Sequence, residues 1–174
     1  MILDIDGVLN HEDWYHSDAC KKSRANNEPW YFEYFDPECV KRVHNILEKT
    51  GAKLIISSSW RTMADLKDIF NAVGMPEFFS ATPYLDKYDY DYDEDIDRRG
   101  MEIEWWLRYH DPDKRSRYVI LDDDRDILEH QLPHFVQTCS DNWLQSDLYI
   151  KNNGGGLTDI CMNKCIDILN NGTV

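Results

Sequence analysis

The sequence predicts an α/β fold: one parallel sheet with helices over both faces. Three observations predict it. Short apolar runs recur at residues 1–3, 53–56, 78–81, 118–121 and 135–136, and helix patterns separate them. The runs are apolar without a clear alternation, as strands buried on both faces are. Carboxylates, hydroxyls and a cation gather where the runs end, which is where open parallel sheets bind ligands.

Residues 1–3 make a very short first strand, directly followed by Asp4-Ile5-Asp6-Gly7. Asp36-Pro37 starts a helix, with an N-cap aspartate and proline at the first helical position. Val40, Val43 and Leu47 form its apolar stripe and Gly51 ends it. Residues 53–56 are a buried strand. Thr62 with Asp65 reads as the cap of a helix whose face is Met63, Leu66, Ile69, Phe70 and Val73, closed by Gly74. A third strand over 78–81 stops at Thr82-Pro83. A helix over 100–109 turns Ile103, Trp106 and Leu107 inward. A strand over 118–121, a short helix over 127–132, a strand over 135–136 and a helix over 158–169 complete the series.

The 174 residues form one domain, 1–174, long enough for a full core. No apolar run approaches the ~18 residues of a membrane span, and the opening segment carries carboxylates instead of a signal sequence. Five cysteines, an odd number without a C-x-x-C pair, point to reduced thiols and a cytoplasmic setting. Cys161 and Cys165, four apart on a helix, face the core. The six histidines form no metal spacing. Acidic residues outnumber basic ones 33 to 19, a net charge of −14. That field repels polyanions and argues against extended nonspecific nucleic-acid binding. It leaves room for a small phosphorylated substrate, or a single strand end bound with a metal. The oligomeric state is not legible.

Two segments interrupt the alternation. Residues 11–35 hold Trp14, Tyr15, Trp30, Tyr31, Phe32, Tyr34 and Phe35, read either as a minor core or as a surface that stacks a base. Residues 84–97 form an acidic loop. Its aspartates lack the glycine and glutamate positions of a calcium-binding EF-hand.

On a strand, residues i and i+2 share a face, so Asp4 and Asp6 are expected at one spot, with Gly7 allowing the turn. Two like charges there call for a cation or a shared proton. Strand two ends in Ser57-Ser58-Ser59-Trp60-Arg61. Strand four ends in Asp122-Asp123-Asp124, with Asp126 nearby, and Arg98-Arg99-Gly100 opens the helix before it. Trp60 reads as packing. Arg61 reads either as a surface residue or as one that reaches the substrate phosphate.

The order Asp4/Asp6, Ser57, Arg98 or Arg99, then Asp122-Asp123 resembles the haloacid dehalogenase (HAD) superfamily of phosphotransferases. LDIDGVLN (3–10), SSSWR (57–61), RGMEIEWWL (99–107), YVILDDD (118–124) and GLT (156–158) are similar to the HAD phosphatase domains of Swiss Army Knife RNA repair proteins. Val8 stands where many of the superfamily carry threonine, and arginine where lysine is commoner.

The resemblance implies a three-layer α/β/α Rossmann-like fold with strand order 3-2-1-4-5 and residues 11–35 as a small cap insert. It implies Mg2+-dependent phosphomonoester hydrolysis through an aspartyl-phosphate. Asp4 would be the nucleophile and Asp6 the acid/base. Asp4, the Asp6 carbonyl and Asp122 would hold Mg2+, with Asp123 and Asp126 supporting them. Ser57 or Ser58, together with Arg99, would bind phosphoryl oxygens. Arg61, Trp14, Trp30 and Tyr31 are candidates for shaping the substrate pocket. A nucleotide or a 3′-phosphorylated strand end is the favoured substrate. A small-metabolite phosphatase and a silent phosphate-binding or partner-binding module are the alternatives.

Overall fold

The structure is a computed structural model that describes residues 1–85, 98–140 and 146–172. Strand β1 (Ile2–Leu3) leads into helices α1 (Glu12–Tyr15) and α2 (Asp18–Ala25), a 3-10 turn at Trp30–Tyr34, and α3 (Pro37–Thr50). Then come β2 (Ile55–Ile56), a 3-10 turn at Ser59–Thr62, α4 (Leu66–Val73) and β3 (Ser80–Ala81). Helix α5 (Arg98–His110), β4 (Ile120–Asp122), a 3-10 turn at Glu129–His134, β5 (Phe135–Gln137), α6 (Asp147–Asn152) and α7 (Asp159–Asn171) complete it. The acidic loop expected over 84–97 lies outside the described residues, except for Tyr84 and Leu85 at its start.

The sheet has five parallel strands in the order β3-β2-β1-β4-β5. Side-chain alternation splits the molecule into two cores. Leu3, Ile56 and Leu121 face one side with α3, α4 and α7, through residues such as Val43, Ile69 and Cys165. Ile2, Ile55 and Ile120 face the other, against Ile103 of α5 and Ile127, with Trp106 and Leu107 packed around them. Full burial of a side chain the size of Ile103 contributes about 1.5–3 kcal/mol.

Local chemistry fixes several boundaries. The Asp36 carboxylate accepts the Glu38 N–H at 2.9 Å, and Gly51 ends α3 in the left-handed region at φ +67°. The Thr158 hydroxyl caps α7 by accepting the Cys161 N–H. The cap expected at Thr62 is not formed. Thr62 closes the 3-10 turn after β2, and α4 begins three residues after Met63, at Leu66. The helix expected over 127–132 is a 3-10 turn, with Pro133 inside it.

His11, expected to be free of metal-like spacing, belongs to a buried knot. Its Nε2 lies 3.0 Å from Asp36 Oδ2, and the Cys39 thiol donates toward the same oxygen at 3.7 Å. The three donor atoms lie within 4.8 Å of one another. Gly155 and Gly156 pack so tightly on the imidazole that a Cβ at Gly156 would come within 2.4 Å of it. The knot ties the segment after β1 to the start of α3 and to the loop before α7.

Candidate active site

Register alone assembles the centre. Ile2 pairs with Ile55 and Ile120, and Leu3 with Ile56 and Leu121. One residue further on, the Ser57 N–H donates to the Leu3 carbonyl at 2.8 Å and the Asp4 N–H to the Leu121 carbonyl at 2.9 Å. Asp4, Ser57 and Asp122 therefore stand side by side at the carboxyl edge. They share the parity of Ile2, Ile55 and Ile120, which face α5.

Helix α5 supplies the cation. The Arg99 guanidinium lies 3.3 Å from Asp4 Oδ1 and 3.5 Å from Asp122 Oδ2, and Nη1 donates to the Ser57 hydroxyl at 3.4 Å. Gly100 allows this approach. Its N–H donates to the Asp126 carbonyl, and a Cβ there would fall 2.4 Å from the Leu128 nitrogen. Asp126 stands at the N-terminal end of α5, where its carboxylate accepts the Arg99 backbone N–H. Its Oδ1 is buried without a hydrogen-bond partner.

Burial pushes the Asp4 carboxyl above the usual carboxylate range. Arg99 and the Ser58 hydroxyl oppose the shift, and Asp6 and Asp123 reinforce it. Asp122 is raised too, by burial first and then by the charge of Asp4. Asp122 Oδ2 is buried without a hydrogen-bond partner. Asp123 is also raised by burial, against a hydrogen bond from Ser140. Oxygens of Asp4, Asp122 and Asp123 lie within 4.8 Å of one another. A buried, all-oxygen, net-negative donor set with an orphaned oxygen suits a hard divalent cation.

Asp6 departs from the strand picture. The strand ends at Leu3, and the Leu9 N–H closes a turn onto the Ile5 carbonyl at 2.8 Å. Gly7 takes φ +68°, with its Cα so close to Asp123 that a Cβ would overlap that side chain. Asp4 consequently points into the buried centre and Asp6 outward. Asp6 Oδ1 accepts the Asn10 side-chain N–H at 2.9 Å, and Oδ2 accepts the Trp60 indole N–H at 3.0 Å. Sequence reasoning missed Trp60 and Asn10 in this role. Asn10 lies four residues from Asp6, a spacing that could have flagged it. Trp60 is 54 residues away, and only the fold reveals it.

Arg61 is not the surface residue that one reading of the sequence made it. Its side chain is 5% exposed. Nη1 donates to the Ser57 and Ser58 carbonyls at 2.8 and 2.7 Å, and Nη2 to Glu102 at 2.6 Å. Glu102 sits one turn after Arg99, and its other oxygen accepts the Leu85 N–H. The pair thus clamps the serine loop to α5.

The structure brings Trp30 and Tyr31 into contact and sets Trp14 apart from them. The Trp14 indole donates to the Glu33 carbonyl, and its ring lines a separate cleft with Lys22, Phe32 and Pro37. Tyr31 packs partly buried against the larger core. Trp30 meets Tyr31 edge-on at 5.8 Å and also meets Trp60 and Tyr34, with ring centroids 5.7 Å from each. Among the described residues, no helix is long and apolar enough to cross a membrane.

No curated protein and no solved structure matches the chain. A family model does. Residues 1–147 match the HAD domain in Swiss Army Knife RNA repair proteins. The sheet order agrees with that match, and the chain belongs to this family of HAD domains, membership of which implies a phosphohydrolase and a divalent metal.

Proposed function

We propose that this protein is a Mg2+-dependent phosphomonoester hydrolase that acts through an aspartyl-phosphate on Asp4. Its substrate is a nucleotide or a 3′-phosphorylated nucleic-acid end. The observation that carries the reading is the Arg99 guanidinium, which reaches Asp4, Asp122 and Ser57 at 3.3–3.5 Å. One cation that touches a nucleophile, a metal-type carboxylate and a hydroxyl defines a phosphoryl pocket.

The Asp4 carboxylate attacks phosphorus as the bond to the leaving oxygen breaks. Asp6, the outward carboxylate beside it, gives that oxygen a proton. Asp6 then takes a proton from the water that attacks the phosphorus of the aspartyl-phosphate, freeing phosphate and Asp4. Arg99 and the Ser57 and Ser58 hydroxyls hold the phosphoryl oxygens. Asp4 and Asp122, with Asp123 and the Asp6 carbonyl, would hold Mg2+, which when bound neutralises charge on the phosphoryl group. Family membership supports the RNA-end substrate, and the net charge of −14 supports contact with few nucleotides or with a small metabolite.

The test is phosphate release from a panel of 3′- and 5′-phosphorylated oligonucleotides, nucleotides and sugar phosphates, with Mg2+ and with excess chelator. Metal-dependent turnover, fastest on a 3′-phosphorylated end or a nucleotide, is expected. Preference for sugar phosphates would reassign the substrate to metabolites. Full activity in chelator would contradict the metal role, and no turnover of any ester would favour a silent binding module.

A further inference from the structure

We infer that Trp30, Tyr34 and Trp60 form a shelf that stacks the base of the leaving nucleoside, and that Trp60 joins this shelf to the acid/base carboxylate. The inference rests on the phosphomonoesterase reading for its chemistry. Its geometry stands on separate observations.

The group that leaves phosphorus takes its proton from Asp6, so the organic part of the ester lies on the Asp6 side of the phosphoryl pocket. That side is aromatic. The Trp60 indole N–H is fixed on Asp6 Oδ2 at 3.0 Å. Its ring stands 5.7 Å from Trp30 and 5.6 Å from Tyr34, and those two are 5.7 Å apart. The three rings touch one another, which leaves no slot for a sandwiched ligand. A base would lie on the outer faces of the shelf.

Those faces are open. Trp30 is 47% exposed and Tyr34 36%. Behind them the shelf is rigid: buried Phe35 meets Trp60 edge-on at 5.6 Å and Phe70 at 6.0 Å. Tyr15 meets Tyr34 edge-on at 5.9 Å. A stiff, open aromatic face beside a group that protonates a leaving oxygen matches a flat, apolar-faced leaving group. A nucleobase carried by the ester oxygen's own sugar is such a group. Stacking reads the face of a base and not its edge, so the shelf accepts all four bases. Trp60 then acts as a positioning residue, since the ring that supports the shelf also holds Asp6 in place.

Two measurements test this. The first is the ratio of kcat/KM for a nucleoside monophosphate to that for glycerol phosphate, which carries no ring. Trp30→Ala is expected to lower this ratio roughly 5- to 150-fold, the range set by a stack of about 1–3 kcal/mol. Trp60→Phe keeps a ring and removes the N–H, so kcat falls on both substrates while KM for the nucleotide holds. Equal losses on both substrates for Trp30→Ala, or none on the nucleotide, would overturn the shelf. The second measurement does not need turnover. In Asp4→Asn protein, nucleoside monophosphate should quench tryptophan fluorescence, glycerol phosphate should not, and adding Trp30→Ala should abolish most of the quench. Quenching without turnover in the wild type would retire the phosphatase reading and keep the shelf. Absence of quenching would retire the shelf.

Discussion

At the scale of single residues, the centre gathers more negative charge than it neutralises. Asp4, Asp122 and Asp123 place three carboxylates within reach of one ion, and Arg99 answers only part of that charge. Burying like charges costs several kcal/mol, and removing one often stabilises an empty site. Asp122→Asn should therefore raise the thermal stability of metal-free protein by about 1–3 kcal/mol while lowering activity. Thermal melts in chelator check this, and a lower melting temperature for the variant would contradict it. Asp36 has the opposite sign. Burial works against its ionised form, but hydrogen bonds from His11 and the Glu38 N–H prevail and hold its carboxyl below the usual range. Its folded pKa is depressed, so its stabilisation is present above the unfolded value of about 3.9 and is lost as pH falls through the folded one. Asp36→Asn keeps a helix cap without the charge. Its deficit in melting temperature relative to the wild type should be constant at neutral pH and shrink below about pH 4. A deficit unchanged by acid would contradict the assignment.

At the scale of elements, the serine loop and α5 act as one piece because Arg61 and Glu102 are buried together, at 5% and 4% exposure. Breaking one partner of such a pair leaves the other charge unanswered. Glu102→Gln should cost about 3 kcal/mol of stability and lower kcat/KM about 10- to 100-fold, because Arg99 and Ser57 lose their common anchor. Denaturant melts and kinetics on the same preparation check both, and an unaltered kcat/KM in a destabilised variant would make the clamp purely structural. The sequence made the elements legible where signals are local. Asp36-Pro37 and Gly51 bound α3, Gly74 ends α4, and the apolar runs mark all five strands. It also placed Asp4, Ser57, Arg99 and Asp122 at strand or helix ends, which the register brings together. Contacts that depend on the fold were not legible. Arg61 meets Glu102 across 41 residues, and Trp60 meets Asp6 across 54. The two helices after β1 were missed too. Their four and eight residues carry a weak apolar stripe, and α2 buries only Cys20.

At the scale of the whole molecule, a net charge of −14 opposes extended contact with a polyanion. Activity on a phosphorylated oligonucleotide should therefore depend weakly on salt. The slope of log kcat/KM against log salt should be no steeper than about −2, the value for two or three phosphate contacts on a single strand. A steeper slope would reveal a basic groove that the charge balance hides. In the proposed reaction Asp4 is the residue that would take the phosphoryl group from the ester. The most direct measurement is mass spectrometry of protein quenched in acid during turnover, with the modified peptide sequenced. The account predicts one added phosphoryl group on Asp4, absent from Asp4→Asn protein, whose turnover falls by about 10³-fold or more while its fold is kept. A phosphoryl group on any other residue, or turnover by Asp4→Asn within about tenfold of the wild type, would contradict it.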